Sequence, residues 1–141
     1  MMKNVAVVYW SGTGNTEAMA GAVAKGAQGA GASAALIPVS DFDAGRLAAF
    51  EAFAFGCPAM GSEALEDSEF EPVWDAVKAG LAGKPVALFG SYGWGDGEWM
   101  RTWEEDAAAA GIALACDSVI CNDAPDDEAL DACKALGAAL A

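Results

Sequence analysis

The sequence has 141 residues and a formal net charge of −14, and it contains no histidine. A charge of this sign argues against nucleic acid as a partner, because such binding needs a basic surface. The absence of histidine removes the commonest metal ligand and general base. No apolar run approaches the roughly 18 residues of a membrane-spanning helix. We therefore expect a single cytoplasmic domain over residues 1–141 that binds no membrane and has no metal site.

Apolar runs alternate along the chain with segments in which apolar residues have helical spacing. The runs predict five strands, at residues 4–10, 34–39, 51–56 and 86–90 and within residues 112–121. Five helices are predicted to follow them, with apolar stripes that begin at Met19, Phe42, Phe70, Trp99 and Leu130. The second helix, over residues 42–50, is expected to be short and capped by Ser40 or Asp41. The alternation predicts a three-layer α/β domain with a parallel sheet.

A loop of small and hydroxyl-bearing residues separates the first strand from the first helix. Its members are Ser11, Gly12, Thr13, Gly14, Asn15 and Thr16. N–H groups and the helix dipole favour an anion at the start of a helix, so the loop predicts a phosphate site made of neutral donors. It lacks the lysine of a P-loop, and Glu17 stands at the third glycine position of a dinucleotide-binding fingerprint. An ordinary tight turn with capping hydroxyls is the alternative.

Two further loops follow the third and fourth predicted strands, and the carboxyl ends of parallel strands meet at one edge of a sheet. In residues 90–97, Trp94 fits no helical or strand period, which favours stacking on a flat ring over a place in the core. In residues 57–63, Met60 offers an adaptable apolar cover for the other face of a ring. Glu63 in the same loop could accept a hydrogen bond from a ring N–H.

With these three loops the sequence resembles the flavodoxins, and specifically the short-chain flavodoxins of anaerobic bacteria. The resemblance is carried by residues 8–17, 56–63 and 89–95, and it extends over essentially the whole chain. The fifth strand also runs on without the insertion that longer members carry. The resemblance implies a flavodoxin-like, doubly wound fold with a five-stranded parallel sheet of order 2-1-3-4-5. It also implies one FMN, bound non-covalently.

The resemblance assigns the cofactor contacts residue by residue and implies no catalytic residue. It places the FMN phosphate on residues 11–16 and the flavin ring between Met60 and Trp94, with Gly61 beside N5 and Glu63 beside N3. It places the backbone of residues 91–95 on the pyrimidine side of the ring and Asn122 near the ribityl chain. The implied contacts are Ser11, Gly12, Thr13, Gly14, Asn15, Thr16, Ala59, Met60, Gly61, Ser62, Glu63, Ser91, Tyr92, Gly93, Trp94, Gly95 and Asn122.

The implied function is that of a one-electron carrier that shuttles between flavin semiquinone and hydroquinone at low potential. If the Gly61–Ser62 peptide reoriented, its carbonyl could accept the N5 hydrogen bond of the semiquinone, which is worth about 1 kcal/mol. Acidic residues within 63–75 and 96–106 would disfavour the anionic hydroquinone and steer transient redox partners with basic docking surfaces to a monomeric carrier. The alternative is an NAD(P)H-dependent flavin or quinone reductase on the same fold.

Overall fold

Residues 3–60, 64–93 and 95–141 are described in a computed structural model of the chain. The five strands are β1 (Asn4–Tyr9), β2 (Ser33–Pro38), β3 (Ala52–Gly56), β4 (Val86–Tyr92) and β5 (Val119–Asn122). The α-helices of these residues are α1 (Asn15–Gly29), α2 (Phe70–Val77), α3 (Glu98–Ala109) and α4 (Asp127–Leu140). None of these helices is both long enough and apolar enough to span a bilayer.

The strands form one parallel sheet in the order β2-β1-β3-β4-β5, which confirms the predicted fold class and strand order. The chain first winds from β1 to β2 on one side and then continues from β3 on the other. Val7 of β1 consequently lies between Leu36 of β2 and Ala54 of β3. In an open α/β sheet a ligand crevice forms outside the carboxyl ends of the strands at such a reversal.

The two sides of the sheet bury different kinds of side chain, because successive residues of a strand point to opposite sides. β3 sends Phe53 and Phe55 to one side and Ala52 and Ala54 to the other. We call the first side the aromatic face; under α2 and α3 it buries Phe70, Trp74, Trp99 and Trp103. We call the second side the alanine face; under α1 and α4 it buries Met19, Ala20, Val23, Ala27, Cys133, Leu136 and Leu140.

The segment between β2 and β3 differs from the short α-helix predicted over residues 42–50. It contains two 3-10 helices, Val39–Asp41 and Ala44–Ala49. Phe42 lies between them with extended backbone and is buried in the aromatic face. Burial of this side chain therefore interrupts the helix that the spacing of apolar residues predicted.

Two element boundaries also differ from the sequence prediction. The second 3-10 helix is capped by Asp43, whose side chain accepts a hydrogen bond from the backbone N–H two residues later, rather than by Ser40 or Asp41. β5 forms only at the end of its predicted segment, and Leu114 makes an isolated bridge with Val86 before it. The four residues of β5 still suffice to pair with the end of β4.

Candidate cofactor-binding site

A cleft opens at the carboxyl edge of the sheet, where the loops after β1, β3, β4 and β5 meet. It is lined by Trp10, Gly12, Thr13, Asn15, Pro58, Ala59, Met60, Ser91, Tyr92, Gly93 and Asp123. All of these except Trp10, Pro58 and Asp123 belong to the predicted site. The structure thus brings residues from three separate predicted loops to one place.

The other predicted site residues are distributed around this cleft or fall outside the described residues. Ser11 and Gly14 belong to the loop before α1, Thr16 lies in the first turn of α1, Gly95 precedes α3, and Asn122 ends β5. The predicted contacts of Gly61, Ser62, Glu63 and Trp94 concern residues outside the described part of the chain. The positions of these residues do not test their predicted contacts with the cofactor, and each contact remains a prediction.

The loop before α1 is held in shape by its own first side chain. Ser11 Oγ accepts hydrogen bonds from the N–H groups of Gly14, at 3.0 Å, and Glu17, at 3.3 Å. Gly14 has a φ of 95°, a left-handed conformation that side-chain-bearing residues rarely adopt. A β-carbon at Gly14 would meet no atom within 4 Å, so the glycine is required by backbone conformation rather than by space.

Four further N–H groups of this loop have no hydrogen-bond partner among the described residues. They belong to Gly12, Thr13, Asn15 and Thr16. Two of them lie in the first turn of α1, where the helix dipole contributes about half a positive charge. The loop therefore fits a phosphate group, which accepts several hydrogen bonds and carries negative charge.

A buried pair of hydroxyl groups joins this loop to the end of β4. Thr16 Oγ1 lies 3.1 Å from Ser91 Oγ, and the two residues are 1% and 5% exposed. The backbone carbonyl of Ser91 also accepts a hydrogen bond from the Ala59 N–H at 3.0 Å. Ser91 consequently connects the loops that follow β1 and β3, and the Thr16 hydroxyl makes a structural contact inside the protein.

Trp10 was not among the predicted site residues, although it lies directly between β1 and the loop before α1. Its indole ring packs so closely on Gly12 that a β-carbon there would lie 3.0 Å from Cη2 and 3.3 Å from Cζ3 of the ring. The sequence signal was available, because an aromatic residue at the end of a central strand must lie at the ligand edge of the sheet.

Asp123 is a second cleft residue that sequence reasoning missed. It has a φ of 57°, and no other non-glycine residue of the described chain has a positive φ. Its N–H donates to the carbonyl of Tyr92 at 2.8 Å, and the Asn122 side-chain amide donates to the same carbonyl at 3.3 Å. These two bonds fix the end of β5 against the end of β4 and support the unusual backbone conformation.

Hydrogen bonds hold the loop after β3 at both of its described ends. Met60 and Ala64 exchange backbone hydrogen bonds of 2.8 and 3.0 Å across the loop. The buried Cys57 thiol accepts the N–H of Glu66 at 3.4 Å, and burial raises the pKa of this thiol to about 12. Cys57 is therefore a neutral structural thiol at neutral pH, rather than a reactive one.

Two acidic residues within the segments 63–75 and 96–106 serve the fold. Glu66 is 6% exposed, and its carboxylate accepts hydrogen bonds from the backbone N–H groups of Ser68, Glu69 and Phe70 and from the Ser68 hydroxyl. Burial raises the pKa of the Glu66 carboxyl, but these hydrogen bonds outweigh that effect and the net pKa is lowered. Glu66 thus remains charged and caps α2.

Asp106 is the second structural carboxylate. It accepts the indole N–H of Trp74 at 2.8 Å and pairs with the Lys78 ammonium at 3.0 Å. The Trp74 bond lowers the pKa of Asp106, burial opposes that change, and Lys78 lowers the pKa further. Among the described residues, no group of three or more histidine, cysteine or acidic side chains could hold a metal ion.

Comparison with known proteins agrees with this geometry. The family model described as Flavodoxin matches residues 7–137. A flavodoxin from Clostridium beijerinckii is 46% identical over 125 residues, which cover 89% of this chain and 91% of that protein. A flavodoxin from Megasphaera elsdenii is 45% identical over 137 residues, with 97% and 98% covered. The solution structure of two-electron reduced Megasphaera elsdenii flavodoxin matches with a TM-score of 0.88 and 44% identity, covering 96% of this chain and 97% of that one.

These matches extend over nearly the full length of the relatives, and they favour the electron carrier over the reductase alternative. The relatives carry the name of a family of electron-transfer proteins rather than of enzymes. The chain therefore belongs to the flavodoxin family, as a short-chain member and an FMN-based electron carrier.

Proposed function

We propose that residues 11–16 bind the phosphate of FMN through backbone N–H groups. The observation that carries this proposal is the set of N–H groups at Gly12, Thr13, Asn15 and Thr16 that have no hydrogen-bond partner among the described residues. They lie at the positive end of the α1 dipole, where an anion is stabilised. The loop contains no lysine or arginine, so a phosphate bound there would keep its negative charge close to the flavin ring.

The flavin ring would lie in the cleft above this loop. Met60 is 37% exposed and lines the cleft with Trp10 and Tyr92, so an apolar ring surface would cover side chains that now meet solvent. The resemblance to flavodoxins adds Trp94 on the second face of the ring. Bound FMN supplies the one-electron chemistry, and the role of the chain is to hold the ring and set the charge around it.

Exposed carboxylates before and within α2 and α3, the helices that follow two of the cleft loops, would set a low potential for the carrier. They are Asp67, Glu69, Glu71, Asp75, Asp96, Glu98 and Glu105. A single exposed charge about 10 Å from the ring contributes only about 0.4 kcal/mol in water. Several such charges, together with the phosphate, would make addition of the last electron to the cofactor measurably less favourable.

The same carboxylates would guide redox partners that have basic docking surfaces. The net charge of −14 produces a field that attracts such partners over distances of about a Debye length. Electron-transfer complexes are typically small and short-lived, so a monomeric cytoplasmic carrier should exchange partners quickly. We expect the rate of electron transfer to a basic partner to fall as the salt concentration rises.

Spectroelectrochemical titration of the purified, FMN-loaded protein tests the electron count and the potential together. We expect two one-electron steps, the second at low potential, and no oxidation of NADPH by the protein. A single two-electron step, or complete reduction at a mild potential, would contradict the proposed carrier. Catalytic consumption of NADPH would favour the reductase instead.

The proposed phosphate site has a separate test that does not involve reduction. The FMN-free protein should bind FMN much more tightly than riboflavin, which lacks the phosphate, and inorganic phosphate should compete with FMN. Equal affinity for FMN and riboflavin would show that residues 11–16 do not hold the phosphate.

A further inference from the structure

A hydrogen bond connects the start of α2 to the residue that precedes the proposed phosphate loop. The indole Nε1–H of Trp10 donates to Oε1 of Glu69 at 3.1 Å. Trp10 follows β1, and Glu69 is the residue immediately before α2. The two residues are 59 positions apart in the sequence, so this contact arises only from the tertiary fold.

The opposite end of the Trp10 side chain is also in contact. Its six-membered ring packs directly on Gly12, and the side chain lines the cofactor cleft. The Trp10 backbone N–H donates to the carbonyl of Gly56 at 3.0 Å, which fixes the position of its Cα. Trp10 packs against the core of the aromatic face, but it is only partly buried, so this packing does not enclose its whole ring. The bond to Glu69 supplies the missing constraint.

Glu69 can provide that constraint because its own backbone is held. Its N–H donates to the Glu66 carboxylate at 2.7 Å, and that carboxylate also accepts the Phe70 N–H. The N–H of Glu66 in turn donates to the thiol of Cys57. A continuous set of contacts therefore runs from the loop after β3, through the start of α2, to Trp10.

We infer that Glu69 is a positioning residue of the cofactor site, which orients Trp10 as a wall of the cleft and connects the loop after β3 to the proposed phosphate loop, residues 11–16. This inference rests on the proposed binding of FMN in the cleft. The acceptor oxygen of Glu69, rather than its charge, performs this role. Glutamine at the same position keeps an acceptor oxygen and removes the charge, whereas alanine removes both.

The matched control is Glu71, which lies two residues further along. It is exposed and carries the same charge, and its side chain makes no hydrogen bond among the described residues. We expect Glu69→Ala to weaken FMN binding roughly three- to tenfold, the range for loss of one ordinary hydrogen bond, because the bond to Trp10 is exposed to solvent. Glu69→Gln should bind FMN nearly as the parent does, and Glu71→Ala should not show the weakening of FMN binding expected for Glu69→Ala. Equal changes of FMN affinity in Glu69→Ala and Glu71→Ala would show that the contact with Trp10 plays no part and would overturn the inference.

A double-mutant cycle isolates the contact itself. Trp10→Phe keeps an aromatic ring but lacks the indole N–H. In that background Glu69→Ala should produce no further loss of FMN affinity. If the losses of the two single variants simply add, Glu69 does not act through Trp10.

The indole N–H resonance of Trp10 provides a readout independent of FMN affinity. In a proton–nitrogen NMR spectrum, with the resonance assigned by its absence in Trp10→Phe, it should shift in Glu69→Ala and stay in place in Glu71→Ala. An unchanged resonance in Glu69→Ala would overturn the inference. If the parent protein failed to bind FMN while this shift occurred, the proposed phosphate and ring sites would be wrong but the Trp10–Glu69 contact would stand.

Discussion

The aromatic face and the alanine face bury the same sheet in different ways. On the aromatic face large rings meet edge to face, as in the pair formed by Trp74 and Trp103, whose ring centres are 5.6 Å apart. On the alanine face the two helices α1 and α4 come so close that their backbones touch. A β-carbon at Gly26 would lie 1.9 Å from the carbonyl oxygen of Lys134, and one at Gly137 would lie 2.0 Å from that of Val23.

This difference shows that the alanine-rich face is stabilised in another way than the aromatic face, and is not simply a less stable form of it. Large side chains stabilise one face through the apolar area they remove from water. Small side chains stabilise the other by allowing many close van der Waals contacts between backbones. The aromatic face should therefore be most sensitive to removal of atoms, and the alanine face to their addition.

Removal of an aromatic core side chain should have the largest effect. Trp74 is 1% exposed, contacts Phe55 and Trp103 edge to face and donates to Asp106. We expect Trp74→Ala to lower the free energy of unfolding by about 3–5 kcal/mol. Urea denaturation at a fixed FMN concentration measures this, since bound ligand adds to the apparent stability.

Trp74→Phe is the control for that experiment, because it keeps an aromatic ring and loses the N–H bond to Asp106. Its loss should be clearly smaller than that of the alanine variant. Equal losses in the two variants would mean that the hydrogen bond, and not the buried area, dominates at this position.

Addition of a single methyl group should have the next largest effect, on the alanine face. Gly26→Ala places a β-carbon against the backbone of α4 and should cost about 1–3 kcal/mol. The matched control is Gly21→Ala in the same helix, where a β-carbon meets nothing within 4 Å. Alanine favours helix over glycine by about 1 kcal/mol, so this variant should gain stability. A gain in both variants would contradict the close packing of α1 and α4.

Sequence periodicity predicted the three-layer α/β domain, but it did not reveal every contact between the layers. The loops at residues 11–16, 57–63 and 90–97 could be placed at one edge of the sheet because each follows the end of a predicted parallel strand. The segment around Phe42 was assigned wrongly, because apolar spacing does not reveal that one side chain must leave the helix to reach the core. Glu66 and Asp106 were interpreted as surface charge, because their partners lie in distant elements or in local backbone.

Helices α1 and α2, one from each face, begin differently, and this bears on the cofactor. On the alanine face α1 starts behind the neutral hydroxyl of Ser11, which leaves N–H groups free for a ligand. On the aromatic face α2 starts behind the charged carboxylate of Glu66, which uses the N–H groups available there. Of these two helix starts, the first offers N–H groups to a phosphate, and the second depends on the ionisation of a carboxylate.

The cap of α2 should make stability fall in acid. Because the pKa of Glu66 is lower in the folded protein than in the unfolded chain, its contribution is present above the ordinary carboxyl pKa. That contribution is lost as the pH falls through the lower folded-state pKa. We expect Glu66→Gln to cost about 1–3 kcal/mol at neutral pH and to flatten the acid limb of a stability–pH profile. An acid limb identical to that of the parent would show that other carboxylates cause it.

Replacement of the neutral cap should give the smallest effect and one that does not depend on pH. Ser11→Ala removes the oxygen that accepts the N–H groups of Gly14 and Glu17, at a cost of about 0.5–2 kcal/mol. No ionisable group is lost, so the stability–pH profile should be displaced downward without a change in shape. The FMN-free protein should show this displacement as well, because the Ser11 bonds form within the loop itself. Full retention of stability in Ser11→Ala would mean that the backbone alone maintains the loop, and the left-handed Gly14 would then be the residue that shapes the anion site.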